Sequence, residues 1–133
     1  MITKNYCFTV NSFLQAIYII TICKKKRIIP ILFVKYYIIN GLGIAWLSEF
    51  IDMLKEQFKS KDFKIYVEAK KNYGLFISLV EQKIDYINVK ADQQTLKRLR
   101  EIAKLNKVLI NPTFSIVDLS KLKNVKNKIE KKI

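Results

Sequence analysis

The sequence predicts an α/β fold on a mostly parallel five-stranded sheet, and three observations carry that expectation. Short runs rich in β-branched and aromatic residues alternate with stretches of helical periodicity along residues 1–117. Several strand-like runs are apolar throughout, as strands buried on both faces of a parallel sheet are. The three glycines, Gly41, Gly43 and Gly74, fall at junctions between these stretches, where a chain reverses direction. At 133 residues the chain has the length of one domain and can bury a real core.

Taken in order, "YCFTV" (6–10) reads as a first strand, with Asn11 or Ser12 capping a helix over 13–26. "IIPILFV" (28–34) is a second strand, and a second helix is expected over 43–59. "FKIYVEA" (63–69) is a third strand, followed by a helix that starts near Asn72 and aligns Leu75, Leu79 and Val80. "IDYINVK" (84–90) is a fourth strand. Asp92 then caps the clearest helix, in which Leu96, Leu99, Ile102, Ala103 and Leu105 form an apolar stripe. "VLI" (108–110) is a short fifth strand stopped by Asn111-Pro112. The alternation implies a small three-layer, doubly wound sheet of Rossmann-like or flavodoxin-like type with helices on both faces. Beyond this α/β domain (1–117), residues 118–133 space Leu119, Leu122, Val125, Ile129 and Ile133 as a basic amphipathic helix. Six lysines occupy its other sides, and the helix packs on the domain or extends from it.

Charge narrows the function classes less than its size suggests. The net charge of +14 would attract nucleic acid or an anionic membrane surface. However, 22 of the 25 basic residues are Lys, and Ile (21) and Asn (9) are also abundant, a compositional skew as much as a functional signal. Arg, which nucleic-acid sites favour for its planar fork, occurs only at 27, 98 and 100. The chain has no His, so Ser–His and Cys–His nucleophiles and histidine metal ligation are excluded. Cys7 and Cys23 lie in no metal or redox motif and fit two buried thiols in a reducing cytosol. No catalytic residue, metal ligand or cofactor is expected. Residues 13–47 are apolar enough to raise a membrane reading, but Lys35, Asn40, Pro30 and the glycines interrupt them.

In a doubly wound sheet, ligands bind beyond the carboxyl ends of the strands. The residues expected there, and therefore the candidate binding residues, are Asn40, Gly41, Gly43, Glu68, Lys70, Lys71, Asn72, Gly74 and Asp92. Gly41 and Gly43 match the first two positions of a G-x-G-x-x-G fingerprint, and Glu68 ends the next strand at a suitable distance. Trp46 fills the third position, where close helix–strand contact needs a small residue. "EAKKNYG" (68–74) offers Glu68, Lys70, Lys71 and Asn72 as an anion site. Glu68 and Asp92 could face each other across neighbouring strand ends, and Ser48, Ser78 and Ser115 have no nucleophile-elbow context.

The stretch "IYVEAKKNYGLFISLVEQKIDYINVKADQQTLKRLREIAKLNKVLINP" (65–112) is similar to the second half of small uncharacterised alphaproteobacterial proteins of about this length. They share a strand ending in an acidic loop, a Gly-Leu-opened helix matching Gly74-Leu75, a second strand and an amphipathic helix. Before that glycine they carry small and acidic residues where this chain has Lys70-Lys71-Asn72. The resemblance implies a compact α/β domain and no activity. The expected function is therefore a cytoplasmic, non-catalytic binding module for a small anionic ligand. The alternatives are a polyanion binder (RNA or an anionic membrane surface) acting through the lysines of 121–132, and a small membrane protein with helices in 13–47.

Overall fold

Residues 6–117 are described by the structure, a computed structural model. Strand β1 (Tyr6–Thr9) leads into helix α1 (Phe13–Lys25), then β2 (Pro30–Val34), α2 (Tyr36–Leu42) and α3 (Ile44–Gln57). A single 3-10 turn (Ser60–Asp62) precedes β3 (Lys64–Lys70) and α4 (Tyr73–Glu81). Then come β4 (Tyr86–Val89), α5 (Gln93–Leu105), β5 (Leu109–Ile110) and β6 (Ile116–Val117). All strand pairs are parallel, in the order β5-β4-β3-β2-β1-β6. The chain is thus α/β of the Rossmann-like class that the alternation implies, with β6 as a sixth strand beyond the five expected. The helix read over 118–133 lies outside the described residues.

The strand order follows chain order from β1 to β5. Each right-handed crossover therefore steps the same way and leaves its helix on the same face. The described helices thus form one layer and not the two of the doubly wound, three-layer arrangement expected. Burial agrees: Ile19 of α1, Ile39 of α2, Phe50 of α3, Phe76 of α4 and Leu99 of α5 all enter one core with Phe8, Leu32, Val67 and Ile87 of the strands. Alternate strand positions face the other way, where Cys7, Ile31, Phe33 and Tyr66 form a second cluster joined by Tyr86 and Phe114. The return from β5 to β6 crosses this second face. From Ile110 to Ile116 the chain has six Cα steps, about 22 Å at full extension, whereas five strand spacings in a flat sheet are about 24 Å. The sheet must therefore coil over its second face, and Phe114 sits there, 6.1 Å from the Tyr66 ring and 5.0 Å from that of Tyr86.

The long apolar run of residues 28–47 divides differently from the expectation. Every residue of β2 is buried, as a central strand requires. The chain then forms α2, so Asn40 and Gly41 lie within a helix and not at a strand-to-helix junction. Three local facts build this helix. Lys35 is extended, the Tyr36 N–H donates to Glu68 Oε1 at 2.9 Å, and Ile38 and Ile39 point into the core. Gly43, with φ 88° and ψ 167°, ends α2 and starts α3 at a bend of 107°. That backbone region belongs essentially to glycine. Gly43 therefore makes a helix–helix corner, and Trp46 stacks on Phe50 with 5.1 Å between ring centroids. Among the described residues no single helix is long and apolar enough to cross a membrane; α2 and α3 pass that test only together, across this bend.

Three helices end in the same way. After α1, α4 and α5, the residues Arg27, Lys83 and Lys107 adopt left-handed φ values of 58°, 58° and 60°. Ile28, Ile84 and Val108 then donate back to the carbonyls of Cys23, Leu79 and Ala103. This is the Schellman arrangement, with a basic residue where glycine is usual.

Candidate functional site

The carboxyl ends of β2, β3 and β4 enclose an open depression of about 420 Å³, lined by Tyr36, Lys70, Lys71, Asn72 and Lys90. Its shape begins with a bulge in β3: the pairing with β4 shifts register between Glu68 and Lys70, and Lys70 takes φ 51°. A bulge of this kind re-aims a side chain at the end of a ladder. The Lys70 ammonium lies 5.6 Å above the centre of the Tyr36 ring, within cation–π range. Its carbonyl accepts from the Lys90 N–H at 2.9 Å, which fixes the ends of β3 and β4 against each other. Tyr73 Oη donates to the Lys90 carbonyl at 3.1 Å and holds the same corner from α4.

Asn72 joins the two walls. Its Oδ1 accepts from the Leu75 N–H at 3.0 Å and caps α4, while its Nδ2 donates to Tyr36 Oη at 3.2 Å. Three lysines therefore border a depression whose lining contains no carboxylate, with a tyrosine hydroxyl and an amide between them. Such a setting attracts an anion through ammonium groups and hydrogen-bond donors.

Of the residues expected at the site, Lys70, Lys71 and Asn72 come together here. Glu68 stands beside them, but one of its oxygens is engaged by the Tyr36 N–H, so its negative charge serves the positive end of α2. Asp92 is committed as well. Its Oδ1 accepts from the Thr95 N–H at 2.8 Å and its Oδ2 from Thr95 Oγ1 at 3.0 Å. The Thr95 backbone N–H, helped by the Thr95 hydroxyl, holds the Asp92 carboxyl below the usual carboxylate range. Glu68 and Asp92 thus have separate partners, and Glu68 lies in register with Asn88. Gly74 lies in the first turn of α4, with Asn72 Oδ1 3.7 Å from where a Cβ would sit. Asn40, Gly41 and Gly43 do not line the depression.

Two contributors escaped the sequence reading. Lys90 directly follows β4 and was accessible to the rule that ligands gather at strand ends. Tyr36 was concealed inside an apolar run.

The helix N-termini nearby are occupied from within. Ser12 caps α1 by accepting from the Gln15 N–H, Asn72 caps α4, and Asp92 caps α5. Side-chain ammonium groups, and not free helix ends, therefore supply the positive potential of the depression. Burial pushes the Cys7 thiol up to about 12 and that of Cys23 up to about 11, so both stay protonated at neutral pH and neither is a ready nucleophile. Burial likewise raises Tyr66, with a smaller opposing effect from its hydrogen bond to Asn88. Among the described residues no group of three or more Cys, Asp or Glu is placed to hold a metal ion. No protein-family model matches the chain, and no curated protein matches it.

Proposed function

We propose that this chain is a cytoplasmic, non-catalytic binding protein that takes a small anion in the depression at the ends of β2, β3 and β4. One observation carries the reading: Lys70, Lys71 and Lys90 border the same 420 Å³ space, with no carboxylate in its lining. The bulge at Lys70 and the Asn72–Tyr36 hydrogen bond support it, because they hold two walls of the space in place. The cytoplasmic setting rests on two buried thiols with no disulfide between them.

Calorimetric titration of the full chain with inorganic phosphate, pyrophosphate and citrate tests the proposal. An ammonium about 4 Å from an anion in a water-like dielectric contributes about 1 kcal/mol. Replacing all three lysines by Ala therefore weakens binding by about 3 kcal/mol, or about a hundredfold. Affinity unchanged by the triple substitution, or no binding of any of the three anions to the parent chain, refutes the site.

A further inference from the structure

A second basic surface lies on the far edge of the sheet, away from the strand-end depression. In this strand order each helix covers the step from one strand to the next. β5 is the last strand on its edge, and among the described residues no helix follows it on the helical face. What remains is a groove between α5 and the outer side of β5. Its inner part, about 460 Å³, has Ala103, Val108 and Ile110 as its apolar floor and Arg100, Lys104 and Lys107 as its rim. A second depression of about 570 Å³ shares Arg100 and Lys104 and continues along α5 past Leu96 and Lys97 to Gln93. The Leu109 and Asn111 N–H groups donate inward to Asp85 and Ile87, so strand alternation turns the N–H and C=O of Ile110 outward to the groove side.

We infer that this groove seats an acidic amphipathic helix of a protein partner. Length fits: the groove follows α5 from Gln93 to Lys104 for about 17 Å, the rise of a helix of about 12 residues, which the 14-residue probe below spans. Charge fits: Lys97, Arg100, Lys104 and Lys107 border it against Glu101 alone. The same charges disfavour the other occupants. A second copy would bring the same basic groove and a net charge of +14, and residues 118–133 carry six lysines against Asp118 and Glu130. Nucleic acid would leave the apolar floor bare, and no aromatic ring lines either depression for base stacking. An apolar helix face flanked by carboxylates satisfies both the floor and the rim.

Fluorescence anisotropy with the full chain tests this. The probe is a labelled, helix-stapled 14-residue peptide of Leu and Glu in amphipathic register, alongside a twin with Lys in place of each Glu. The Glu peptide binds and the twin does not. Arg100→Glu with Lys104→Glu weakens the Glu peptide at least tenfold and confers binding of the Lys twin. Lys55→Glu with Lys59→Glu, the same charge change on another surface, alters affinity less than twofold. Should the reversed pair unfold by circular dichroism, Arg100→Gln with Lys104→Gln takes its place and weakens the Glu peptide at least threefold. Equal binding of both peptides overturns the inference, as does equal loss in the Lys55 and Lys59 variant. A 14-nucleotide single strand that binds more tightly than the Glu peptide and depends on Arg100 and Lys104 also overturns it, in favour of nucleic acid.

Discussion

Gly41 and Gly43 stand two residues apart, and the same substitution at each has opposite signs. Neither has any atom within 4 Å of where a Cβ would sit, so crowding contributes nothing at either position and backbone conformation alone decides. Gly41 lies in α2 without a positive φ, and Ala there gains about 0.5–1 kcal/mol from helix propensity and a less flexible unfolded chain. Gly43, at φ 88° and ψ 167°, is in a region that an L-residue enters at a cost of about 1–3 kcal/mol. Unfolding entropy of about 2.1 cal/mol/K per residue gives this chain about 0.28 kcal/mol/K, so 1 kcal/mol corresponds to about 3.5 °C. Gly41→Ala should therefore raise the midpoint by about 2–4 °C and Gly43→Ala lower it by about 4–11 °C. Thermal unfolding followed by circular dichroism at 222 nm reads both. Shifts of the same sign refute the helix–helix corner. Equal loss of anion affinity in both variants, with stability unchanged, would return Gly41 and Gly43 to the binding residues expected from the sequence.

Four further outcomes follow from the same structure. Glycine at Arg27, Lys83 or Lys107 relieves a left-handed backbone and raises the urea midpoint by the equivalent of about 0.5–1 kcal/mol each; a fall at all three removes the Schellman assignment. Glu68→Gln keeps an acceptor for the Tyr36 N–H and removes a negative charge beside the lysines, so pyrophosphate affinity rises about two- to threefold; a fall places the Glu68 carboxylate among the ligand contacts. Asp85→Ala leaves the β3 Ile65 N–H, which donates to Asp85 Oδ2 at 2.9 Å, without its partner and costs about 1–3 kcal/mol in denaturant unfolding. Cys7 and Cys23 bind protons more tightly folded than at the ordinary 9.0, so their contribution is complete below pH 9 and is lost as pH rises toward 11 and 12. Unfolding free energies between pH 8 and 10.5 should fall, less steeply in Cys7→Ala with Cys23→Ala, and a thiol reagent at pH 8 should label the chain only in denaturant.

The legible parts of this fold are those where one period holds long enough to be read. The stripe of α5 and the continuous apolar β2 declare themselves, because packing on one face or two imposes a pattern of 3.6 or none at all. α2 does not, since Tyr36–Leu42 is too short for its two buried isoleucines to break the apolar run shared with β2. β6 pairs through two residues only, at a register that nothing local specifies. Glycine misled in a related way. The helix ends that most often take glycine hold Arg27, Lys83 and Lys107, while Gly41 and Gly74 occupy helices without needing to. At the candidate site the "EAKKNYG" lysines were visible as a cluster, but their convergence with Lys90 depends on the β3–β4 register and its bulge, which sequence spacing does not reveal.

The strand order also sets a timetable. From β2 to β5, each strand finds its partner in the one synthesised just before it, so these pairings close short loops and can form as the chain emerges. The outer edge of β1 is the exception. It must wait for Ile116 and Val117, and the Thr9 hydroxyl meets the Val117 carbonyl across 108 residues. At about 5–20 residues per second, that edge stays open for roughly 5–20 s on the ribosome, the interval in which a newborn chain is most exposed to pairing with a neighbour.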